Sequence, residues 1–137
     1  MTDETGLRKR QIDPWPWMQR LHLSQAVVLR APGEFMLCSG QPALDASGRI
    51  VGPGDIRVQT ATAIDNLRTL LSAGGFSLAD VVRINLYTTD VDGLRANFDV
   101  VADALDAVGC FPANTLLGVT RLARPEMLIE IEATAAR

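Results

Sequence analysis

The sequence predicts an α+β protein in which a mixed β-sheet carries two helices on one face. Strand-like apolar runs alternate with two amphipathic helical segments, in the order β-β-α-β-α-β-β. The chain has 137 residues, which is enough for one domain with a core of its own.

The first twenty residues differ in character from the rest of the chain. Residues 1–10 are strongly charged, and we expect them to be mobile. Trp15 and Trp17 alternate with prolines, which restrict φ and disfavour helix, so this stretch is predicted to be extended. Exposed tryptophans are unfavourable, so the arm should pack on the body or on a neighbouring subunit. We therefore predict an N-terminal arm, 1–20, and a single domain, 21–137.

The domain is predicted to open with a hairpin and a long loop. Residues 26–30 and 34–39 are apolar and β-prone, and the turn-forming sequence Ala-Pro-Gly separates them at 31–33. Residues 41–53 are rich in Gly, Pro and Asp and are predicted to form a loop.

The first helix is predicted to begin after Asp55, a favourable N-cap, and to end at Gly74 and Gly75. Its apolar positions recur at helical spacing: Ile56, Thr60, Ile64, Leu67 and Leu71.

The centre of the sheet is predicted at residues 81–88, where apolar and polar side chains alternate. A second helix should follow, capped by Asp90 or Asp92 and ended by Gly109.

The last two strands are predicted at 115–122 and 127–135. Leu117 and Val119 point to the side opposite Leu116, so both faces of the first of these strands carry apolar groups. One helical layer covers only one face, and we therefore expect a second copy of the chain to cover the other.

Composition argues against several classes of function. The net charge is −3 without an evident basic stripe, which disfavours nucleic acid as a partner, and no apolar run is long enough to cross a membrane. The absence of an apolar leader suggests a cytoplasmic protein, in which Cys38 and Cys110 should be reduced thiols. One histidine, His22, supports neither a multi-histidine metal site nor a Ser-His-Asp triad, so we expect neither metal nor cofactor.

Several segments, in order across residues 22–136, resemble the signature of the Rid family, the reactive intermediate (imine) deaminases or YjgF-like proteins. These segments are Ser24-Gln25-Ala26, Cys38-Ser39-Gly40-Gln41, Asp65-Asn66-Leu67, Asp80-Val81-Val82-Arg83, Asn97-Phe98, Phe111-Pro112-Ala113 and Ile129-Glu130-Ile131-Glu132-Ala133.

The resemblance implies a barrel-like homotrimer with the helices outside and clefts between subunits, a fold shared with some chorismate mutases. Deaminating members hydrolyse imines or enamines derived from amino acids to 2-keto acids and ammonia without a cofactor. By this resemblance Glu130 is the catalytic, water-directing carboxylate, and Ser39, Gly40 and Asn97 line the substrate cleft. Judged without the family, Glu130 and Glu132 are typical of a solvated strand face.

Three substrate-binding positions depart from the deaminating pattern. Asn114 stands where those relatives carry the arginine that clamps a carboxylate, Leu23 replaces a tyrosine, and Leu116 replaces a small residue. The pocket should therefore be more apolar and less cationic, which implies a different ligand. Arg124, in the turn before the last strand, is a candidate replacement clamp, whereas Arg121 has a counterpart in relatives and is interpreted as structural.

Two functions follow from these observations. One is cofactor-free hydrolysis of a C=N or related electrophile, with Glu130 directing the water. The other is a trimer that binds a small ligand or a protein and has lost deamination. Glu130, Ser39 and Asn97 favour the first function, and Asn114 favours the second. The acidic balance and the single histidine disfavour a nuclease, and no cationic dicarboxylate site supports chorismate mutase chemistry.

Overall fold

The computed structural model describes residues 7–30 and 33–137. The strands and helices, in chain order, are β1 (Arg8–Ile12), β2 (Ala26–Arg30), β3 (Phe35–Pro42), α1 (Ile56–Ala73), β4 (Val81–Thr88), α2 (Val91–Ala96), α3 (Asp99–Asp106), β5 (Ala113–Gly118) and β6 (Ile129–Ala136). A 3-10 turn at Pro16–Leu21 precedes β2.

The main sheet has four strands in the order β3-β6-β4-β5. The strand β6 is antiparallel to both β3 and β4, whereas β4 and β5 are parallel. The predicted mixed sheet is therefore confirmed.

One hydrophobic core joins the helices to one face of this sheet. Its fully buried side chains include Leu67 of α1, Val101 of α3, Leu86 of β4 and Ile131 of β6. Since both helical segments contribute to the same core, they lie on the same side of the sheet, as the sequence predicted. We call the other side of the sheet the open face.

The predicted hairpin between 26–30 and 34–39 is wrong. The strand β2 pairs with β1 in a separate two-stranded ribbon, and β3 pairs with the C-terminal strand β6. The predicted turn at 31–33 lies partly outside the described residues. The strand β2, which was expected to pair with β3, pairs instead with a strand of the arm that was not predicted.

The tryptophan segment is not extended as predicted. Pro16 begins the 3-10 turn, where a proline is compatible because its missing N–H would have no helical partner. Trp15 and Trp17 stack on each other with their ring centroids 6.1 Å apart, and both remain more than half exposed. Of residues 1–10, which were expected to be mobile, residues 1–6 lie outside the described residues and Arg8 begins β1.

The first helix begins and ends where the sequence predicted. The Asp55 carboxylate accepts a hydrogen bond of 3.0 Å from the backbone N–H of Val58. Gly74 caps the helix at its C-terminus, and Gly75 follows with φ +79°, a conformation that favours glycine.

The second helical segment is divided in two rather than continuous. Asn97 ends α2 with φ −114° and ψ 20°, and its Nδ2 donates to the carbonyl of Gly93. Asparagine competes in this way for backbone groups and interrupts helices. The strand predicted at 115–122 is observed at Ala113–Gly118. Within the described ranges, no helix combines the length and apolar character needed to cross a bilayer.

Candidate functional site

Glu130 lies on the open face of the sheet. Its neighbours in β6, Ile129 and Ile131, are fully buried against the helices, while Glu130 is only partly buried. In the sheet register it lies beside Tyr87 of β4 and Pro42 of β3. The predicted alternation along this strand is therefore confirmed.

A β-bulge in β3 brings the backbone against this carboxylate. Cys38 is level with Ala133 and Gln41 with Ile131, so Ser39 and Gly40 together oppose one residue of β6. A Cβ at position 40 would lie 2.6 Å from Cδ of Glu130 and closer still to its Oε1. Only glycine leaves room for this arrangement. Ser39 is exposed beside it.

A hydrogen-bonded cluster lies next to Glu130 on the same face. Glu132 accepts hydrogen bonds from the Tyr87 hydroxyl and, at 2.9 Å, from Asn85 Nδ2. The bond from Tyr87, followed by that from Asn85, lowers the pKa of Glu132 below its ordinary value. The same bond raises the pKa of Tyr87, because the neutral hydroxyl is the donor. This cluster was not among the predicted site residues, although the alternation of polar side chains along β4 and β6 indicates it.

Asn114 and Leu116 lie on the opposite side of the sheet from Glu130. Asn114 is level with Ile84 and Leu116 with Leu86, and both of these β4 partners are buried in the core. Residues at the same level in neighbouring strands point to the same side, so Asn114 and Leu116 face the helical side of β5. Leu116 packs against the core accordingly.

Leu23 enters the core close to the start of β5. It is 1% exposed, and the next residue, Ser24, forms a parallel bridge with Ala113 and donates its N–H to the Pro112 carbonyl at 2.9 Å.

Asn97 joins the helices to one another. Besides its bond to Gly93, its Oδ1 accepts a hydrogen bond of 3.3 Å from Arg57 of α1. Arg57 also forms a bidentate ion pair with Asp99 of α3. The bond from Arg57 lowers the pKa of Asp99. Within one chain, the hydrogen bonds of the Asn97 side chain therefore serve to join the helices.

Within one chain the predicted site residues thus do not form a single site, and Asn97 lies apart between the helices. Glu130, Gly40 and Ser39 lie together around the bulge on the open face. Asn114 and Leu116 lie on the helical side of β5, and β4 separates that strand from β6. A site that used both groups would need two copies of the chain.

Arg124, the candidate replacement for the missing arginine, and Arg121, interpreted as structural, both lie between β5 and β6. Arg124 donates a hydrogen bond of 2.7 Å to the carbonyl of Gly48, in the loop before α1. Arg121 is exposed in the segment between β5 and β6.

The remaining candidate reactive side chains, those of Cys38, Cys110 and His22, pack against other parts of the fold. Cys38 and Cys110 are free and buried, and burial raises the pKa of Cys110 to about 11, so its thiol is protonated at neutral pH. His22 packs on Phe111, with ring centroids 5.2 Å apart. In the described part of the chain, no group of three or more His, Cys, Asp or Glu side chains is placed to hold a metal ion.

Comparison with known proteins places this fold and these residues in a family. A model of the endoribonuclease L-PSP family matches residues 18–137. A RutC family protein of Pyrococcus horikoshii is 33% identical over 103 residues, which cover 75% of this chain and 79% of that protein. The 2-iminobutanoate/2-iminopropanoate deaminase of Escherichia coli is 30% identical over 107 residues, which cover 77% and 81% of the two chains.

The crystal structure of YyfB, a conserved Rid family protein from Yersinia pestis, superposes with a TM-score of 0.80 at 35% identity. The match covers 94% of this chain and 98% of that one. The chain therefore belongs to the endoribonuclease L-PSP family, the group of Rid and YjgF-like proteins.

Proposed function

We propose that the protein is a cofactor-free hydrolase of a small C=N electrophile, an imine or its enamine tautomer, with Glu130 directing the water. The observation that carries this proposal is the partly buried Glu130 carboxylate held against the Gly40 bulge. A carboxylate with a bound water is sufficient as a general base when the carbon attacked is already electrophilic.

The chemistry needs one water and no other reactant. Glu130 accepts a proton from the water as its oxygen bonds to the imine carbon. Glu130 passes this proton to the imine nitrogen, which gives a carbinolamine. The hydroxyl proton of the carbinolamine moves to the nitrogen as the C–N bond breaks, and the products are a carbonyl compound and ammonia. A carboxylate in this role contributes about a hundredfold or more to the rate.

The site is composite, formed where the open face of one copy meets the β5 edge of another in a homotrimer. Glu130 and Asn114 can share a ligand only in this way, because they lie on opposite sides of one chain's sheet. Exposure of apolar side chains supports the assembly, since Leu37 is 80% exposed and Leu117 49% exposed on the open face. Trp15 and Trp17 of the arm are also more than half exposed, and they add apolar surface that a neighbouring copy would bury.

The specificity differs from that of the E. coli relative, whose name describes anionic imines. Asn114 offers a neutral amide where a charged clamp would be needed. Leaving a substrate carboxylate without its cation costs about 2–3 kcal/mol, or roughly a hundredfold in affinity. We therefore expect little hydrolysis of 2-iminopropanoate.

The test is an assay in which imines, both anionic and neutral, are generated in situ and carbonyl release is followed. Glu130→Gln should lower hydrolysis of any accepted imine by about a hundredfold or more. Glu126→Gln makes the same chemical change at an exposed position outside the site and should have no effect. Equal rates for the two variants would exclude Glu130 from the chemistry.

A double variant separates the clamp from the chemical step. Asn114→Arg should create or raise hydrolysis of the anionic imine, and Glu130→Gln in that background should abolish it. If Asn114→Arg folds as a trimer and stays inactive on every imine, the second candidate is favoured.

That second candidate is a trimer that binds a small ligand or a protein without turnover. Asn114 is the observation that favours it, because the residue removes the cation on which deaminating relatives are expected to depend. Saturable binding of a ligand without carbonyl release, in the same samples, would establish it.

A further inference from the structure

A cavity of about 230 Å³ lies on the open face of the sheet. Its lining includes Leu37 of β3, Arg83 and Asn85 of β4, and Glu132 and Thr134 of β6. Arg83 and Leu37 are both level with Thr134, and Asn85 is level with Glu132. Residues at the same level in neighbouring strands point to the same side. The cavity therefore brings one cation and one anion into the same small space.

These two charged groups are near each other without being paired. Within residues 7–30 and 33–137, Arg83 forms no ion pair with a carboxylate. Its charge nevertheless adds to the lowering of the pKa of Glu132, after the bonds from Tyr87 and Asn85. Because Arg83 is level with Thr134, Glu132 is its diagonal neighbour, at about 7–8 Å between Cα atoms. A small molecule can lie between the two groups.

Both groups keep hydrogen-bonding atoms that the described residues leave unused. Arg83 donates from Nη2 to Thr115 Oγ1 at 2.8 Å, and its Nε and Nη1 have no acceptor in the described part of the chain. Glu132 accepts its bonds from Tyr87 and Asn85 at Oε1, which leaves Oε2 without a donor there. Oε2 is not fully buried, and Arg83 is exposed, so a ligand can reach both.

A ligand that carries both charges suits this cavity better than a ligand that carries one. An anion attracted to Arg83 would be repelled by Glu132, and a cation attracted to Glu132 would be repelled by Arg83. A zwitterion offers a carboxylate to the planar guanidinium and an ammonium to Glu132 Oε2. The volume is below the roughly 300–1,000 Å³ of pockets for drug-sized ligands, so the zwitterion must be small.

We propose that this cavity binds a free α-amino acid, with the carboxylate of the ligand on Arg83 and its ammonium on Glu132. The site is separate from the water-directing carboxylate. Glu130 does not line the cavity, and its level in the sheet is four residues, about 13 Å, from that of Arg83. No bond forms or breaks at this site, so the inference does not depend on the hydrolase proposal.

The experiment measures the binding of alanine to the full-length, assembled protein by protein-observed NMR titration. Propionate lacks the ammonium of alanine, and ethylamine lacks its carboxylate. The wild-type protein should bind alanine about tenfold or more tightly than either analogue, with shifts at the Asn85 side-chain amide and at Arg83 Nε–H. Equal binding of an analogue, or alanine shifts confined to other parts of the protein, overturns the proposal. Absence of alanine binding, as when a second copy fills the cavity, overturns it as well.

Two variants assign the groups of the ligand to those of the protein. Arg83→Met removes the cation and should weaken alanine binding about tenfold or more without weakening that of ethylamine. Glu132→Gln removes the anion and should weaken alanine binding without weakening that of propionate.

The matched control is Arg95→Met, at an exposed position of α2, which should bind alanine as the wild type does. If Glu132→Gln does not fold because its bonds with Tyr87 and Asn85 are disturbed, the comparison at the exposed Arg83 still decides the question. Equal affinity of Arg83→Met and Arg95→Met for alanine overturns the proposal.

Discussion

At the scale of single residues, the bulge in β3 determines where the Glu130 carboxylate can lie. Gly40 contributes no side chain, and the space that a Cβ would occupy is filled by Oε1, Cδ and Cγ of Glu130. The atoms in conflict belong to the far part of a flexible side chain rather than to the backbone. Any larger residue at position 40 therefore displaces the carboxylate before it distorts the strand.

We expect Gly40→Ala to reduce hydrolysis as strongly as Glu130→Gln while lowering the free energy of unfolding by only about 1 kcal/mol. Urea denaturation and the imine assay measure the two effects. Gly33→Ala is the matched control, because a Cβ there would meet its nearest atom at 3.4 Å. A large loss of stability with Glu130 unmoved in a crystal structure would show that the backbone gives way instead.

The bond between Tyr87 and Glu132 makes stability depend on pH in a defined direction. The pKa of Glu132 is lowered in the folded state, so its contribution is present above the ordinary carboxyl pKa and is lost as the pH falls through the lowered value. The pKa of Tyr87 is raised, so its contribution persists until the alkaline range.

Tyr87→Phe should therefore destabilise the protein near neutral pH, and the difference from wild type should shrink as the pH falls through the lowered pKa of Glu132. Urea denaturation across the acid range measures this. Thr62→Val, which removes a hydroxyl bonded to the Val58 carbonyl in α1, should give a difference that does not vary with pH. A constant difference for Tyr87→Phe would exclude the linkage to Glu132.

At the scale of elements, a buried glutamine joins the first helix to two loops. Gln59 of α1 is fully buried. Its Nε2 donates to the carbonyls of Gly52 and Glu126, at 3.1 and 2.9 Å, and its Oε1 accepts from the Leu128 N–H at 2.9 Å. These bonds hold the segment before β6 and so help to place Glu130.

Gln59→Leu should lower the free energy of unfolding by about 3 kcal/mol or more, because it leaves three backbone groups without partners. Thermal or urea denaturation is the measurement. Gln11→Leu makes the same change at an exposed position of β1 and should alter stability little. If both variants lost equal stability, the buried bonds would not be the cause.

At the scale of the whole molecule, the open face is polar at its centre and apolar on its two edge strands. Its centre holds Glu130 and the Tyr87 and Glu132 pair, whereas Leu37 and Leu117 expose apolar surface on strands at opposite edges of the sheet. The buried core of an interface between proteins is more apolar than its rim, so Leu37 and Leu117 are the positions of this face at which we expect a second copy to pack.

Leu37→Asp should weaken the assembly, because a charge replaces an apolar side chain whose full burial contributes about 1.5–3 kcal/mol. Light scattering over a range of concentrations measures the change in mass. Val108→Asp, at a residue that is 38% exposed after α3, is the control and should leave the mass unchanged. A wild-type monomer at micromolar concentration would remove the basis of the composite site.

Local patterns in the sequence were sufficient to predict most of the helices and strands. Asp55 marks the start of α1, because a helix cap depends only on near neighbours in the sequence. For the same reason, the alternation of Glu130 with buried isoleucines places Glu130 on the open face. The segmental resemblance to the Rid family is confirmed by the family match. The break at Asn97 was missed because the helical period continues through it.

By itself, then, the sequence determined the α+β class, the helix boundaries of α1 and the side of the sheet that Glu130 occupies. Tertiary structure alone decided that β2 pairs with β1, that the Gly40 bulge meets Glu130, and that Asn114 lies on the other side of the sheet. The physical reason is the range of the interactions. Periodicity and capping act over a few residues, whereas strand pairing, register and bulges depend on which distant segments meet.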